Sequence, residues 1–343
     1  MKTMAGCALG LCVAVGCSAS AELEPAPASV PLESAAYVAA PICGPAKVST
    51  LRELLPNVEI LGALEIDVQH LQRGALFPEV ERTLLAQSPE VLDAMNECGL
   101  PLASVEGLVA GFSDHDDVMM GIRAKGVGEA KTLDCLAKKI EGATGKSPWS
   151  RVTKGCATTL EMPDGDGKGF VVSRDVVVFA SKSLQGAVDR RIQGKDESAL
   201  AGRLGWVRGE VDTSSTAWMA ANLPSGSSAG LGPAFSGLSR VGMSVDATRG
   251  LGLRMGAGFG SAAEAKAAAA ELEGQLGQVK AMLPMLGLSS TVGDSIEVAA
   301  KGNVLKLGMF LAPSDLEALR QMAGGGSSTG GSPPPPPSRR FGM

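Results

Sequence analysis

Residues 105–124 read VEGLVAGF-SDHDD-VMMGIRA, and the fold follows from how this stretch is parsed. Val105 to Phe112 and Val118 to Ala124 are short apolar runs rich in small and β-branched residues. A polar turn at Ser113-Asp114-His115-Asp116 separates them, which is the pattern of a β-hairpin. Gly128 to Ile140 then carries helical spacing. Upstream, Val58 to Val68 reads as a strand. Pro78 to Glu97 reads as one helix, with Val80, Leu84, Leu85, Val91, Leu92 and Met95 as its apolar positions. Downstream, Cys156 to Met162 and Gly169 to Ala180 give two or three further strands, and Leu184 to Ile192 a closing helix.

The second half repeats this order. Thr216 to Leu223 is a strand, Leu238 to Val245 and Gly252 to Gly258 a hairpin, and Ser261 to Met282 a long Ala-rich helix. Ile296 to Ala300 and Val304 to Leu311 form another hairpin. Pro313 to Met322 closes the half, with Ser314 and Glu317 spaced as a capping box. The two central helices open alike, on Gly126-Val127-Gly128-Glu129-Ala130-Lys131 and on Gly258-Phe259-Gly260-Ser261-Ala262-Ala263-Glu264-Ala265-Lys266. We therefore expect an α+β fold of two tandem antiparallel-sheet modules, ββαββα-like repeats over residues 47–202 and 203–323. Helices are expected on one face of each sheet.

The flanks have a different composition. Residues 18–46 are rich in Ala, Pro, Ser and Glu and read as a flexible linker; residues 324–343 form a Gly/Ser/Pro tail with five prolines at 333–337, expected to be disordered. At the start, Lys2 precedes a small, apolar run from Met4 to Gly16, the pattern of a signal peptide over residues 1–16, too short to span a bilayer. The run ends in Ala14-Val15-Gly16-Cys17, which resembles the lipobox of bacterial lipoproteins. That resemblance implies cleavage between Gly16 and Cys17, acylation of the Cys17 thiol and attachment to the membrane through lipid. Ser18 stands where Asp would signal inner-membrane retention, which points to the outer membrane. Ordinary cleavage after Ala19-Ser20-Ala21, giving a soluble exported protein, is the alternative. The body also broadly resembles uncharacterised exported lipoproteins of gliding, predatory bacteria, through Cys98-Gly99 before a strand and Cys135-Leu136 in a helix.

Seven cysteines are present. With Cys7 and Cys12 in the leader and Cys17 acylated, Cys43, Cys98, Cys135 and Cys156 remain, and four cysteines allow three pairings. We favour Cys98–Cys135, because these end one helix and sit within the next across a single hairpin, leaving Cys43–Cys156. No C-x-x-C spacing suggests zinc or a redox dithiol.

Other motifs read as decoys. Gly226-Ser227-Ser228-Ala229-Gly230 fits G-x-S-x-G but lies in a loop, and both histidines, His70 and His115, precede it. Asp164 to Gly169 with Asp175 departs from a calcium loop at its fifth and twelfth places. Asp114-His115-Asp116-Asp117 is read as a polar turn rather than a metal site. Gly145-Lys146-Ser147 lacks the glycine that would open a P-loop. Met282-Leu283-Pro284-Met285-Leu286 is read as core, with a lipid-lining role as the alternative.

Composition bounds partners. Aromatic residues are only 3% of the chain and the net charge is −5 without a basic stripe, so nucleic acid is not an expected partner. No metal, cofactor or enzymatic activity is expected. The expected role is that of an envelope lipoprotein, structural or binding an envelope protein partner. The alternative is a carrier of a small hydrophobic ligand, a lipid or acyl chain held between sheet and helices.

Overall fold

Alternating apolar strands bury one side chain in two on each face, so strands with apolar residues at both parities must be covered on both sides. This decides the architecture. The computed structural model describes residues 50–324 apart from 58, 59, 156, 225 and 287. Its strands are β1 (Gly62–Asp67), β2 (Val105–Phe112), β3 (Val118–Ala124), β4 (Ser150–Lys154), β5 (Ala157–Glu161), β6 (Gly167–Ser173), β7 (Val176–Ser181), β8 (Ala217–Asn222), β9 (Leu238–Asp246), β10 (Leu251–Phe259), β11 (Glu297–Lys301) and β12 (Val304–Leu311). They form a single 12-stranded sheet in the order β11-β12-β10-β9-β8-β1-β2-β3-β7-β6-β5-β4, with every pairing antiparallel. The α+β class is as expected. The two separate sheets are not observed: β1 pairs with β8 from Gly62↔Ala221 to Ile66↔Ala217, and this seam makes one sheet.

The helices are α1 (Val68–Gln72), α2 (Phe77–Gln87), α3 (Pro89–Glu97), α4 (Ala130–Thr144), α5 (Gln185–Ile192), α6 (Val207–Glu210), α7 (Ala262–Met282), α8 (Ser290–Ser295) and α9 (Pro313–Gly324). Residues 78–97, expected as one helix, are two. Ser88 has φ −147°, ψ 54°, because the ring of Pro89 disfavours helical geometry at the residue before it. α4 ends where Gly145 adopts φ 74°, a left-handed cap. α7 begins on a complete capping box, Ser261 with Glu264. At α9, spacing favours Ser314 and Glu317 as caps. Instead the Asp315 carboxylate accepts hydrogen bonds from the Ala312 and Ser289 backbone N–H groups, tying the start of α9 to the start of α8.

In the β1–β7 half, both faces are covered. Val176, Val178 and Ala180 join Leu51, Leu54, Leu184, Val188 and Trp218 in one core, whereas Val177 packs with Leu100, Leu133 and Leu160 in another, with Phe179 at its margin. The residues 51–54 turn and α5 thus lie on one face and α4 on the other, in place of the expected one-sided arrangement. Residues 199–211 pack into the first of these cores, so chain on both sides of position 202 shares it. That segment lies close to the sheet because Gly242 has no side chain: a Cβ there would stand 2.4 Å from Val211 Cγ2. On the α4 side of the sheet, α7 covers the β10–β12 end through Ala265, Ala268 and Ala269 against Phe259 and Leu305. Both halves follow one connection pattern. β1-β2-β3 is followed by α4 and then by β4 to β7, of which β7 lies beside β3; β8-β9-β10 is followed by α7 and then by only β11 and β12, of which β12 lies beside β10.

Candidate functional site

Cross-strand register places one apolar row across the sheet. Phe179 pairs with Met120, Met120 with Ala110, Ala110 with Leu64, Leu64 with Met219, Met219 with Met243, Met243 with Met255 and Met255 with Leu307. Directly paired residues point to the same face. One end of the row, Phe179, packs in the cluster that includes α4; at the other, Met255 shares the face of Ala257, which packs against α7. The two helices therefore stand over the ends of the row and leave its middle open. Met219 is 40% exposed, Met255 42%, and Phe112, in the adjoining row beside Gly62, 39%. Seven strand spacings of ~4.8 Å separate Phe179 from Leu307, roughly 34 Å. Large exposed apolar side chains in a contiguous patch mark a binding surface more often than inert surface. Methionine is suited to one, being unbranched and polarisable.

The opposite face of the seam is closed by the apolar core and holds one buried polar contact. Glu65 pairs directly with Trp218 across β1 and β8; the Trp218 indole Nε1–H donates to Glu65 Oε2 at 2.6 Å, and Arg52 Nε lies 2.9 Å from the same oxygen. Glu65 is buried, and burial holds its carboxyl above the ordinary value of 4.5, with Arg52 and Trp218 partly offsetting this. Nearby, Arg240 makes two hydrogen bonds to the Glu210 carboxylate and lies over the Trp206 ring. Further along this face Ser215, Ser244, Asp246, Arg249, Arg254 and Phe310 surround an open pocket of about 110 Å³. Hydrogen bonds from the Thr248 hydroxyl and backbone N–H hold the Asp246 carboxyl below its ordinary range. The hydroxyl and backbone N–H of Ser214 do the same for Asp212, which also pairs with Arg254 at 3.1 Å.

Of the residues singled out from the sequence, Cys98 and Cys135 are joined in a disulfide that fastens the end of α3 to α4. Gly16, Cys17, Cys43 and Cys156 lie outside the described residues, as do the linker before residue 50 and the tail after 324. Ser228 is buried and its hydroxyl donates to the Ser236 carbonyl oxygen, so the G-x-S-x-G stretch is a self-bonded loop. Asp175 accepts a hydrogen bond from Gly126 N–H between β6 and β7, whereas Asp164 and Asp166 sit in the β5–β6 turn. Asp114 to Asp117 form the β2–β3 turn, with Asp116 at φ 60°. Gly145 is the α4 cap. Leu283 packs in a core with Leu288, Val292 and Leu311, but Met282 and Met285 are 57% and 84% exposed, so that stretch is only partly core. Among the described residues no three His, Cys, Asp or Glu side chains converge as metal ligands, and no helix is long and apolar enough to cross a membrane.

The methionine row was not anticipated, although its signal was present. Met120, Met219, Met243 and Met255 each sit inside a strand, but only strand order brings them side by side. The chain matches no protein-family model, no curated protein and no solved structure.

Proposed function

We propose that this chain is a bacterial envelope lipoprotein with a non-enzymatic binding role, held at the outer membrane through acylated Cys17. The linker over 17–46 then carries the folded body away from the bilayer. Two acyl chains anchor a protein stably where one does not, since each buried CH₂ contributes ~0.8 kcal/mol. Labelled palmitate tests this part: incorporation should vanish in Cys17→Ala, with loss of membrane retention, and unchanged retention would reject it.

Of the two ligand readings, an envelope protein partner or a hydrophobic small molecule, the second has a specific observation in its favour. The row Leu64–Met219–Met243–Met255 is an apolar strip between α4 and α7, and its three strand spacings, about 14 Å, give room for a stretch of one extended acyl chain. Purified full-length protein should displace from solution a fluorescent fatty acid that Met219→Glu/Met255→Glu no longer binds. Binding retained by the charged double variant, at unchanged Tm, would remove the strip from the reading. We also propose that the two halves are copies of one ββαββα ancestor. The matching connections about the β1–β8 seam and the matching openings of α4 and α7 support this.

A further inference from the structure

The pocket on the opposite face from the methionine strip combines features that the fold does not require. Ser244 is only 2% exposed and lines the pocket, and its hydroxyl is spent on no side-chain hydrogen bond to another described residue. A hydroxyl at a pocket wall that is spent on no protein group is free to donate to a ligand atom. Strand register explains the opening. Gly252 pairs with Asp246 on one side and Phe310 on the other, so no side chain fills the space between them. The Phe310 ring, 44% exposed, forms a wall.

The charges around the pocket are of both signs. Arg254 is paired with Asp212. Asp246 and Arg249 form no ion pair of 4 Å or less with each other, although both line the same pocket and follow one another in the β9–β10 turn. One Asp246 oxygen, Oδ1, is occupied by Thr248. What remains is an anion, a cation and a hydroxyl around a space of about 110 Å³. An enclosed cavity of ~150 Å³ takes benzene; this smaller, open one suits a ligand of about six heavy atoms that leaves part of itself in solvent.

We propose that this pocket binds a small α-amino-acid zwitterion. Asp246 takes the ammonium group, Arg249 the carboxylate, and the Ser244 hydroxyl donates to a carboxylate oxygen, with the ligand's short side chain against Phe310. The site is independent of the acyl-chain strip, which lies on the other side of the sheet.

The test is calorimetric titration of the full chain with L-alanine, with succinate and glycerol as probes that carry only part of the chemistry. Saturable binding of L-alanine is expected. Asp246→Asn and Arg249→Gln should each weaken it about threefold or more, as befits charges at an open rim. Ser244→Ala should weaken it about three- to tenfold. Trp218, registered opposite Ser244, should report binding by fluorescence. Met219→Glu/Met255→Glu should bind L-alanine as the parent does, which separates this site from the strip. No saturable L-alanine binding, equal binding of succinate or glycerol, or unchanged affinity in Asp246→Asn with its Tm retained would overturn the proposal.

Discussion

Trp218 Nε1 donates a 2.6 Å hydrogen bond to Glu65 Oε2 across the central β1–β8 pairing, where both side chains are buried. The two residues are 153 positions apart in sequence. They close the one seam that turns two half-sheets into a continuous sheet, and they do so with a carboxylate that burial disfavours in its charged form.

Glu65 therefore gives the fold a specific pH dependence. Its folded-state pKa lies above 4.5, so the folded state holds more protons than the unfolded chain just above that pH. Stability falls as pH rises through this window and then levels off. Glu65→Gln keeps an acceptor for Trp218 but does not ionise. Its stability relative to the parent should rise from pH 4 toward neutrality in urea titrations. A flat difference across that range would show that burial does not dominate at Glu65. Glu65→Leu should cost about 1–3 kcal/mol, because it strands the Trp218 N–H.

Asp315 carries the opposite sign. Hydrogen bonds from the Ser289 hydroxyl and backbone N–H hold its carboxyl below its ordinary value of 3.8. The stability it contributes is present above that pH and lost as pH falls through the depressed value. Asp315→Asn should remove this acid sensitivity and loosen the packing of α9 on β12, seen as faster amide exchange in α9.

The Cys98–Cys135 disulfide closes a loop with a sequence separation of 37. Replacing both cysteines by alanine should lower unfolding free energy by about 3–4 kcal/mol on the chain-entropy account. The same loss should follow reduction of the parent, measured by urea titration with and without reductant.

Gly242→Ala should be among the costlier single substitutions in the sheet. The new Cβ would meet Val211 and the Trp206 ring, both packed in or against the core, so the 206–211 segment must lift. Overpacking of this kind costs about 1–3 kcal/mol. Thermal unfolding of Gly242→Ala beside Gly308→Ala, whose added Cβ meets nothing within 4 Å, isolates the steric effect.

Loss of the α7 cap is a local matter. Ser261→Ala removes the acceptor for Glu264 N–H and should destabilise by about 1 kcal/mol. Helical content of α7 should change little, since Ala265, Ala268 and Ala269 hold it to the sheet.

Most elements were legible in the amino-acid sequence because their determinants are local. The 105–124 hairpin, the strands at 297–301 and 304–311 and the Ser261 start of α7 each announce themselves through period, turn residues or a cap. The break at Ser88-Pro89 was equally local, and the helical spacing on either side of it concealed it. Strand β4 (SRVTK) was not legible: a short polar edge strand with little burial has no hydrophobic period to show.

What tertiary structure alone decided is the pairing across long sequence distances. The apolar alternation of β1 and β8 says that each belongs in a sheet. It does not say that they are neighbours, because hydrogen bonding between backbones is indifferent to sequence separation. From that single pairing follow the continuous sheet, the buried Glu65–Trp218 contact and the junction of Leu64 with the methionine row on the other face. Each is assembled from residues that carry no mark of one another along the chain.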